Sequence, residues 1–221
     1  MAKLVITIDG PAGSGKSSAA KLLAARIGAA FLDTGAMYRA ATLAAMQNRC
    51  DLNDIKQLEK IIDETNFEFE MKSGQMAVKI NGSDITEEIR DPQVTANVYF
   101  IASAQSLRER LVRMQREIAA EYEKIVTEGR DQGTVAFPDA EFKFFLTADS
   151  AQRAKRRAKE LTGNGHKVDI NKLQEEIEKR DKQDTTRKIA PLIPAADAKL
   201  VDTTSLTLEQ VVEKILELIK K

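Results

Sequence analysis

The stretch that decides the fold is GPAGSGKSS, residues 10–18. Ahead of it, residues 4–8 (LVITI) are short, apolar and β-branched, which predicts a buried strand. Behind it, residues 17–27 predict a helix closed by Gly28. Between the two the chain spells G-x-x-x-x-G-K-[ST], with Gly10, Gly15, Lys16 and Ser17 in the fixed places. Glycine lets the backbone curl until its N–H groups converge on an anion, and the helix N-terminus adds partial positive charge behind them. Gly10, Pro11, Ala12, Gly13, Ser14, Gly15, Lys16, Ser17 and Ser18 are therefore expected to cradle phosphates. Lys16 is placed to reach the terminal phosphates of a nucleoside triphosphate, and the Ser17 hydroxyl to hold Mg2+.

A strand–loop–helix unit of this kind predicts an α/β chain, and the sequence alternates accordingly. Residues 29–32 read as a second strand ending in Asp33-Thr34-Gly35, followed by a helix over 35–47. Ligands of such sheets gather at strand C-ends. Asp33, Thr34, Tyr38 and Arg39 thus lie where a second ligand could meet the phosphate loop, with Arg39 one turn past Gly35 and able to reach back to an anion. Residues 51–65 read as a charged amphipathic helix. Residues 67–70 alternate, 72–75 are turn-like, 76–80 read as a strand, and Asn81-Gly82 is a hairpin signal. This antiparallel island, over residues 66–90, reads as an insert. Asp91-Pro92 opens a helix. Ser106-x-x-Glu109 reads as a capping box for the next one, which carries Arg108, Arg110, Arg113 and Arg116 to about residue 122.

Residues 125–127 read as a further strand, ending in EGRDQGT (128–134). Two acids and an arginine between glycines at a strand C-end make a site candidate. Another strand covers 142–146. The helix from 150 carries Arg153, Arg156 and Arg157 on one face, and a helix over 169–187 carries Arg180, Asp184 and Arg187 on one face. Two basic faces joined by the loop 162–166 predict a mobile cover, with His166 solvated rather than a general base. Pro191 and Pro194 break the helix, residues 200–201 form the last strand, and Thr207-x-x-Gln210 caps a final amphipathic helix.

Composition narrows the classes. The 221 residues are 43% apolar and 31% charged, enough for a sizeable core and neither disordered nor membrane-like. Basic and acidic residues balance at 34 each, so bulk charge gives no case for nucleic acid. The single cysteine, Cys50, excludes an intrachain disulfide and a cysteine metal cluster and reads as a packed or incidental thiol. No signal-like leader precedes the first strand and no apolar stretch has bilayer length, so a cytoplasmic setting is expected.

Kinases, GTPases and motor ATPases share the phosphate loop. A GTPase needs a guanine-reading Asn-Lys-x-Asp, whereas Asn171-Lys172 is followed by Leu-Gln. A small-substrate kinase needs a second anion site, positive charge around the transferred group, and exclusion of water. Arg39 and Arg130, Lys16 with the Arg153 face, and the 150–187 segment supply these in principle. Phosphoryl transfer asks mainly for positioning and charge, so the lack of a histidine or cysteine catalyst is no objection. Two alternatives stand beside this reading: a P-loop kinase for a different small substrate, and a nucleotide-binding regulatory protein without turnover.

Over its whole length the chain resembles the bacterial cytidylate (CMP) kinases of the P-loop nucleoside monophosphate kinase group. The stretches that carry the resemblance are ITIDGPAGSGKSS, FLDTGAMYRA, EEIRDPQVT, EGRDQGTVAFPDA, RAKRR and EKRDKQDTTRKIAPLIPAADA. It implies a three-layer α/β P-loop fold with a parallel five-stranded sheet. The core would take residues 1–35, 100–149 and 188–221, a monophosphate-binding region with the β insert 36–99, and a helical lid 150–187. It implies ATP-dependent phosphorylation of CMP and dCMP with Mg2+, by a monomer without nucleic-acid or membrane partners. Residues 10–18 would bind ATP. Arg39, Arg130 and Arg187 would hold the CMP phosphate, Arg180 and Asp184 would meet the sugar, and Arg108 and Asp131 would read the cytosine edge. Arg153 and Arg157 would close on the transferring phosphoryl group. Cytosine offers an N4 donor beside N3 and O2 acceptors, which an acid–arginine pair complements. Uracil puts a carbonyl where that amine stands, so Asp131 should disfavour UMP. Two positions depart from the family pattern. Tyr99 stands where a base-contacting serine is usual, with Ser103 one turn later, and Glu128 stands for an aspartate.

Overall fold

The computed structural model describes residues 2–72, 75–163 and 168–220. The turn expected at Ser73-Gly74 and the loop position His166 lie outside the described residues. In chain order, β1 (Leu4–Asp9) leads through the glycine-rich loop into α1 (Lys16–Ile27), and β2 (Ala30–Asp33) into α2 (Thr34–Gln47). Then come α3 (Ile55–Glu64), the strands β3 (Phe67–Lys72), β4 (Gln75–Ile80) and β5 (Ser83–Asp84), and the helices α4 (Pro92–Ala102) and α5 (Gln105–Ala120). The chain returns through β6 (Lys124–Gly129) and β7 (Phe142–Thr147) to the helical pair α6 (Ser150–Gly163) and α7 (Ile170–Thr186). It finishes with β8 (Lys199–Asp202) and α8 (Leu208–Ile219).

The main sheet runs β2-β6-β1-β7-β8, with every pair parallel. After β1 the path moves outward to β2, returns to β6 and crosses to β7 and β8. The phosphate loop therefore sits where the strand order reverses, the usual ligand crevice of such sheets. Register sets its neighbours: Asp9 pairs with Gly129, and Asp33 with Glu128, so three strand ends deliver their loops side by side. On one face Ile6, Ile8, Val126, Phe144 and Leu146 pack on Leu23 of α1 and on Val212 and Ile215 of α8. On the other, Met37, Ala40 and Ala44 of α2 pack against Val78 and Ile80 of the small antiparallel sheet β3-β4-β5. The insert is thus docked on the helix that begins at the C-terminal end of β2. No helix among the described residues is long and apolar enough to cross a membrane.

Local signals held where the backbone demanded a particular residue. Asn81 and Gly82 take φ +50° and +81°, the two left-handed positions of a type I′ turn between β4 and β5. Thr207 and Gln210 form the reciprocal capping box of α8. Other boundaries moved. Ala29 is spent on the end of α1, where its N–H reaches the Ala24 carbonyl at 2.9 Å, so β2 begins at Ala30. Residues 51–54 form a turn rather than helix, because Asp51 Oδ1 accepts from the Asn53 N–H at 2.9 Å and Asp54 caps α3. The expected Ser106–Glu109 capping box is absent. α5 starts two residues earlier, with Ala104 at the N-cap, Gln105 engages Glu109 at 2.9 Å instead, and the helix ends at Ala120.

Candidate active site

The phosphate loop is held from three directions. Gly10 takes φ +153°, and a Cβ there would overlap the Leu146 carbonyl oxygen, so the turn out of β1 requires glycine. Gly13, at φ +75°, lets α6 approach until an added Cβ would stand 3.0 Å from that of Arg153. Thr203 Oγ1 donates to the Ser14 carbonyl at 2.9 Å, and Arg156 donates to the Thr203 carbonyl at 2.5 Å, tying loop, β8 end and α6 together. Pro11 O accepts from the buried Lys16 ammonium at 3.2 Å, and the Ser17 hydroxyl donates to Glu128 Oε1 at 2.6 Å. Ser18 is exposed on the first turn of α1.

The second crevice opens at the ends of β2 and β6. Asp33 caps α2, accepting from the Ala36 N–H at 2.8 Å, and also accepts from Arg39 Nη2 at 3.2 Å. Arg39 has thereby turned back toward Gly35, as its spacing predicted, with its Nε buried and without a partner among the described residues. Thr34 donates to the Glu128 carbonyl at 2.7 Å, stitching β2 to β6. Arg130 donates through Nε to Asp184 Oδ2 of α7 at 2.9 Å. The next residue, Asp131, is buried and accepts a hydrogen bond from the equally buried Arg108 of α5. Arg187 Nη2 stands 4.0 Å from Asp131 Oδ1. Asp9 fixes the turn itself, accepting from the N–H groups of Gln132 and Gly133 at 2.9 and 2.8 Å.

Of the four arginines on α5, three now have places. Arg108 points inward, Arg110 pairs with Asp63 at 2.7 Å, and Arg116 donates to the carbonyls of Ala136 and Val135. Arg153 is not a free surface cation: it donates to Ala148 O at 2.9 Å and Ala12 O at 3.0 Å, and lies 2.6 Å from Asp181 Oδ2. Sequence reading passed over Asp181, although it sits three residues before Asp184 and so shares its face of α7. It also gives Glu128 no partner and Tyr38 no role of its own. Tyr99 is exposed at 49%, and Ser103 Oγ donates to the Phe100 carbonyl of its own helix at 3.4 Å.

Charge converges between the two crevices. Burial, then the nearby Arg130 and Arg180, lower the Lys16 ammonium to about 7, against the pull of Glu128 and Asp184. Burial and the charges of Arg130, Arg39 and Arg157 also lower the Arg180 guanidinium, with Asp184 opposing. Burial, with Asp33 beside it, raises the Glu128 carboxyl. Lys16, Arg39, Arg130, Arg157 and Arg180 thus gather positive charge here, part of it offset by Asp33 and Asp184, an arrangement whose chemistry suits a multiply charged anion. Cys50 takes no part. Burial and Asp54 and Asp51 push its thiol up, and it donates to Asp51 O at 3.3 Å.

A phosphate loop, a cluster of cationic side chains and a buried acid–arginine pair thus meet at the C-terminal ends of neighbouring strands. Residues 6–221 match the family model described as cytidylate kinase. The chain belongs to the cytidylate kinase family. It is 45% identical over 221 residues to the cytidylate kinase of Caldicellulosiruptor bescii, covering 100% of this chain and 97% of that one. Against the cytidylate kinase of Lactobacillus gasseri the identity is 44% over 216 residues, covering 98% and 94%. A solved shikimate kinase from Bacteroides thetaiotaomicron shares the fold with a TM-score of 0.51 at 12% identity, covering 99% of each chain. Membership in the cytidylate kinase family makes this chain a P-loop nucleoside monophosphate kinase, a phosphotransferase.

Proposed function

We propose that the chain phosphorylates CMP and dCMP with ATP, giving CDP and dCDP by direct in-line phosphoryl transfer. The observation that carries this is the buried Arg108–Asp131 pair, one residue beyond an Arg130 whose charge bears on Lys16. A carboxylate held by arginine suits the N4 amine and N3 of cytosine. Residues 10–18 take the ATP phosphates. Arg39, Arg130 and Arg187 take the CMP phosphate, with Thr34 bracing the strand ends between them. Arg180 and Asp184 face the sugar. Lys16, with Arg153 and Arg157, stabilises charge on the group in flight, and the work is positioning and electrostatics rather than covalent catalysis.

Ser17 and Glu128 suit Mg2+: a hydroxyl and a carboxylate oxygen 2.6 Å apart are hard donors. Among the described residues no group of three or more His, Cys, Asp or Glu is placed to hold a metal. An ion bound largely through phosphates would have Ser17 as its protein ligand and Glu128 beside it. Such an ion supplies charge neutralisation at the phosphate oxygens. We read residues 36–99 as the monophosphate-binding region and residues 150–187 as a lid that excludes water, in a cytoplasmic monomer. The test is ADP release from MgATP with CMP, dCMP, UMP, AMP and dTMP offered separately. Strong stimulation by CMP and dCMP is expected. Stimulation by none, or foremost by UMP, refutes the assignment.

A further inference from the structure

Tyr38 lies on α2 just before Arg39, its ring set among Ala41, Leu58, Ile101 and Leu107. It is 7% exposed, and packing of that kind would be served by phenylalanine. Its hydroxyl is buried and has no hydrogen-bond partner among the described residues, which is unfavourable unless something else completes it. What faces the phenol is the base-reading group. Arg108 Cζ lies 5.4 Å from the ring centroid, a cation–π distance, and the charges of Arg108, Asp131 and Arg187 all act on the hydroxyl. Arg187 Nη2 is likewise buried without a hydrogen-bond partner, 4.0 Å from Asp131 Oδ1. Since Arg108 engages Oδ2, Oδ1 accepts no hydrogen bond among the described residues and is open to the N4 amine of cytosine, while the Tyr38 hydroxyl is a buried donor still unused. Along its polar edge cytosine carries the donor N4 at one end and then the acceptors N3 and O2.

We propose that Tyr38 completes the pyrimidine site. Its ring holds the Arg108 guanidinium in plane, and its hydroxyl donates a hydrogen bond to the acceptor edge of the base. The inference rests on the CMP kinase reading above. Uracil shares O2 with cytosine, so the hydroxyl recognises pyrimidines as a class, whereas Asp131 chooses between them.

The test compares wild type, Tyr38→Phe and Tyr38→Leu by thermal unfolding and by steady-state kinetics with CMP, UMP and MgATP. Tyr38→Phe keeps the ring and removes the hydroxyl. Its unfolding midpoint should be unchanged or higher, because an unpaired buried group is gone. Its KM for CMP and for UMP should rise by a common factor of about three to ten, with KM for MgATP and kcat held. Tyr38→Leu should also erode the CMP-over-UMP preference, because Arg108 loses its platform. A Tyr38→Phe variant with a lower midpoint and an unchanged KM for CMP overturns the proposal, making the hydroxyl structural. A KM change for CMP alone overturns recognition of the class. Wild type that turns over no monophosphate refutes the CMP kinase reading itself, a result distinct from Tyr38→Phe matching an active wild type.

Discussion

Asp131→Asn tests base reading at nearly constant volume. In the native site Oδ2 accepts from Arg108 while Oδ1 faces Arg187 across 4.0 Å, and both partners of the Arg108 pair are about 5% exposed. An asparagine must turn its carbonyl toward Arg108, because its NH2 would otherwise meet guanidinium donors. The NH2 then occupies the place of Oδ1, a donor where there was an acceptor. Toward the cytosine amine this removes a charge-assisted hydrogen bond of about 1.5–3 kcal/mol, or about 10- to 150-fold in kcat/KM for CMP. Toward uracil O4 it adds a neutral one of about 1 kcal/mol, roughly fivefold in favour of UMP. The CMP-over-UMP preference should therefore fall by about two to three orders of magnitude. Arg108 keeps an acceptor but loses its counter-ion, so stability should drop by about 2 kcal/mol, near 4–8 °C in the midpoint for a chain of this size. Parallel ADP-release assays and thermal unfolding read both effects. A lowered midpoint with an unchanged CMP-to-UMP ratio would refute the reasoning and leave Asp131 as a structural counter-ion.

Two further expectations concern the donor side. Lys16→Ala removes a charge contact to the phosphates in the transition state and should lower kcat by about two orders of magnitude or more; an unimpaired kcat removes Lys16 from the mechanism. Asp9 is pushed up to about 6 by burial, against its hydrogen bonds from Gly133 and Gln132. The native state then holds this proton more tightly than the unfolded chain, so the Asp9 contribution to stability falls as pH rises from about 4 to about 6. Relative to Asp9→Asn, wild type should lose about 3 kcal/mol across that window, read by urea unfolding at roughly pH 4 and pH 7. A stability difference independent of pH contradicts the linkage.

The features legible in the sequence were those whose cause is local. Gly10 and Gly15, the Asn81-Gly82 turn and the Thr207–Gln210 box each answer a backbone requirement within a few residues, and the strand–loop–helix at the start dictates a parallel sheet. The backward turn of Arg39 was legible for the same reason, being a matter of one helical turn, but its partner Asp33 was not, since the spacing pointed to a ligand anion. Ser106 failed as a cap because the geometry between α4 and α5 starts the helix at Gln105, which spacing alone does not encode. The partners of Arg153 and Ser17 were hidden for another reason. Asp181 and Glu128 reach them only through the packing of α7 on α6 and the register of β6 on β1, contacts between distant parts of the chain. The resemblance singled out Arg108 as a reader of the base, and the structure turns it inward; periodicity could not have chosen it from four arginines on one helix.

Asp9 ends the strand that feeds the phosphate loop, yet its carboxylate grips the backbone of the turn just past Asp131. Its two hydrogen bonds go to main-chain N–H groups, so they need no particular side chain at 131, although the Asp131 charge adds to what pushes the Asp9 carboxyl up. The letter that reads the base can change while the turn stays bolted at the same distance from the phosphate loop. On the proposed role of Asp131, substrate choice and transfer geometry are then separable inheritances, and a lineage, or a designer, can rewrite the first without renegotiating the second.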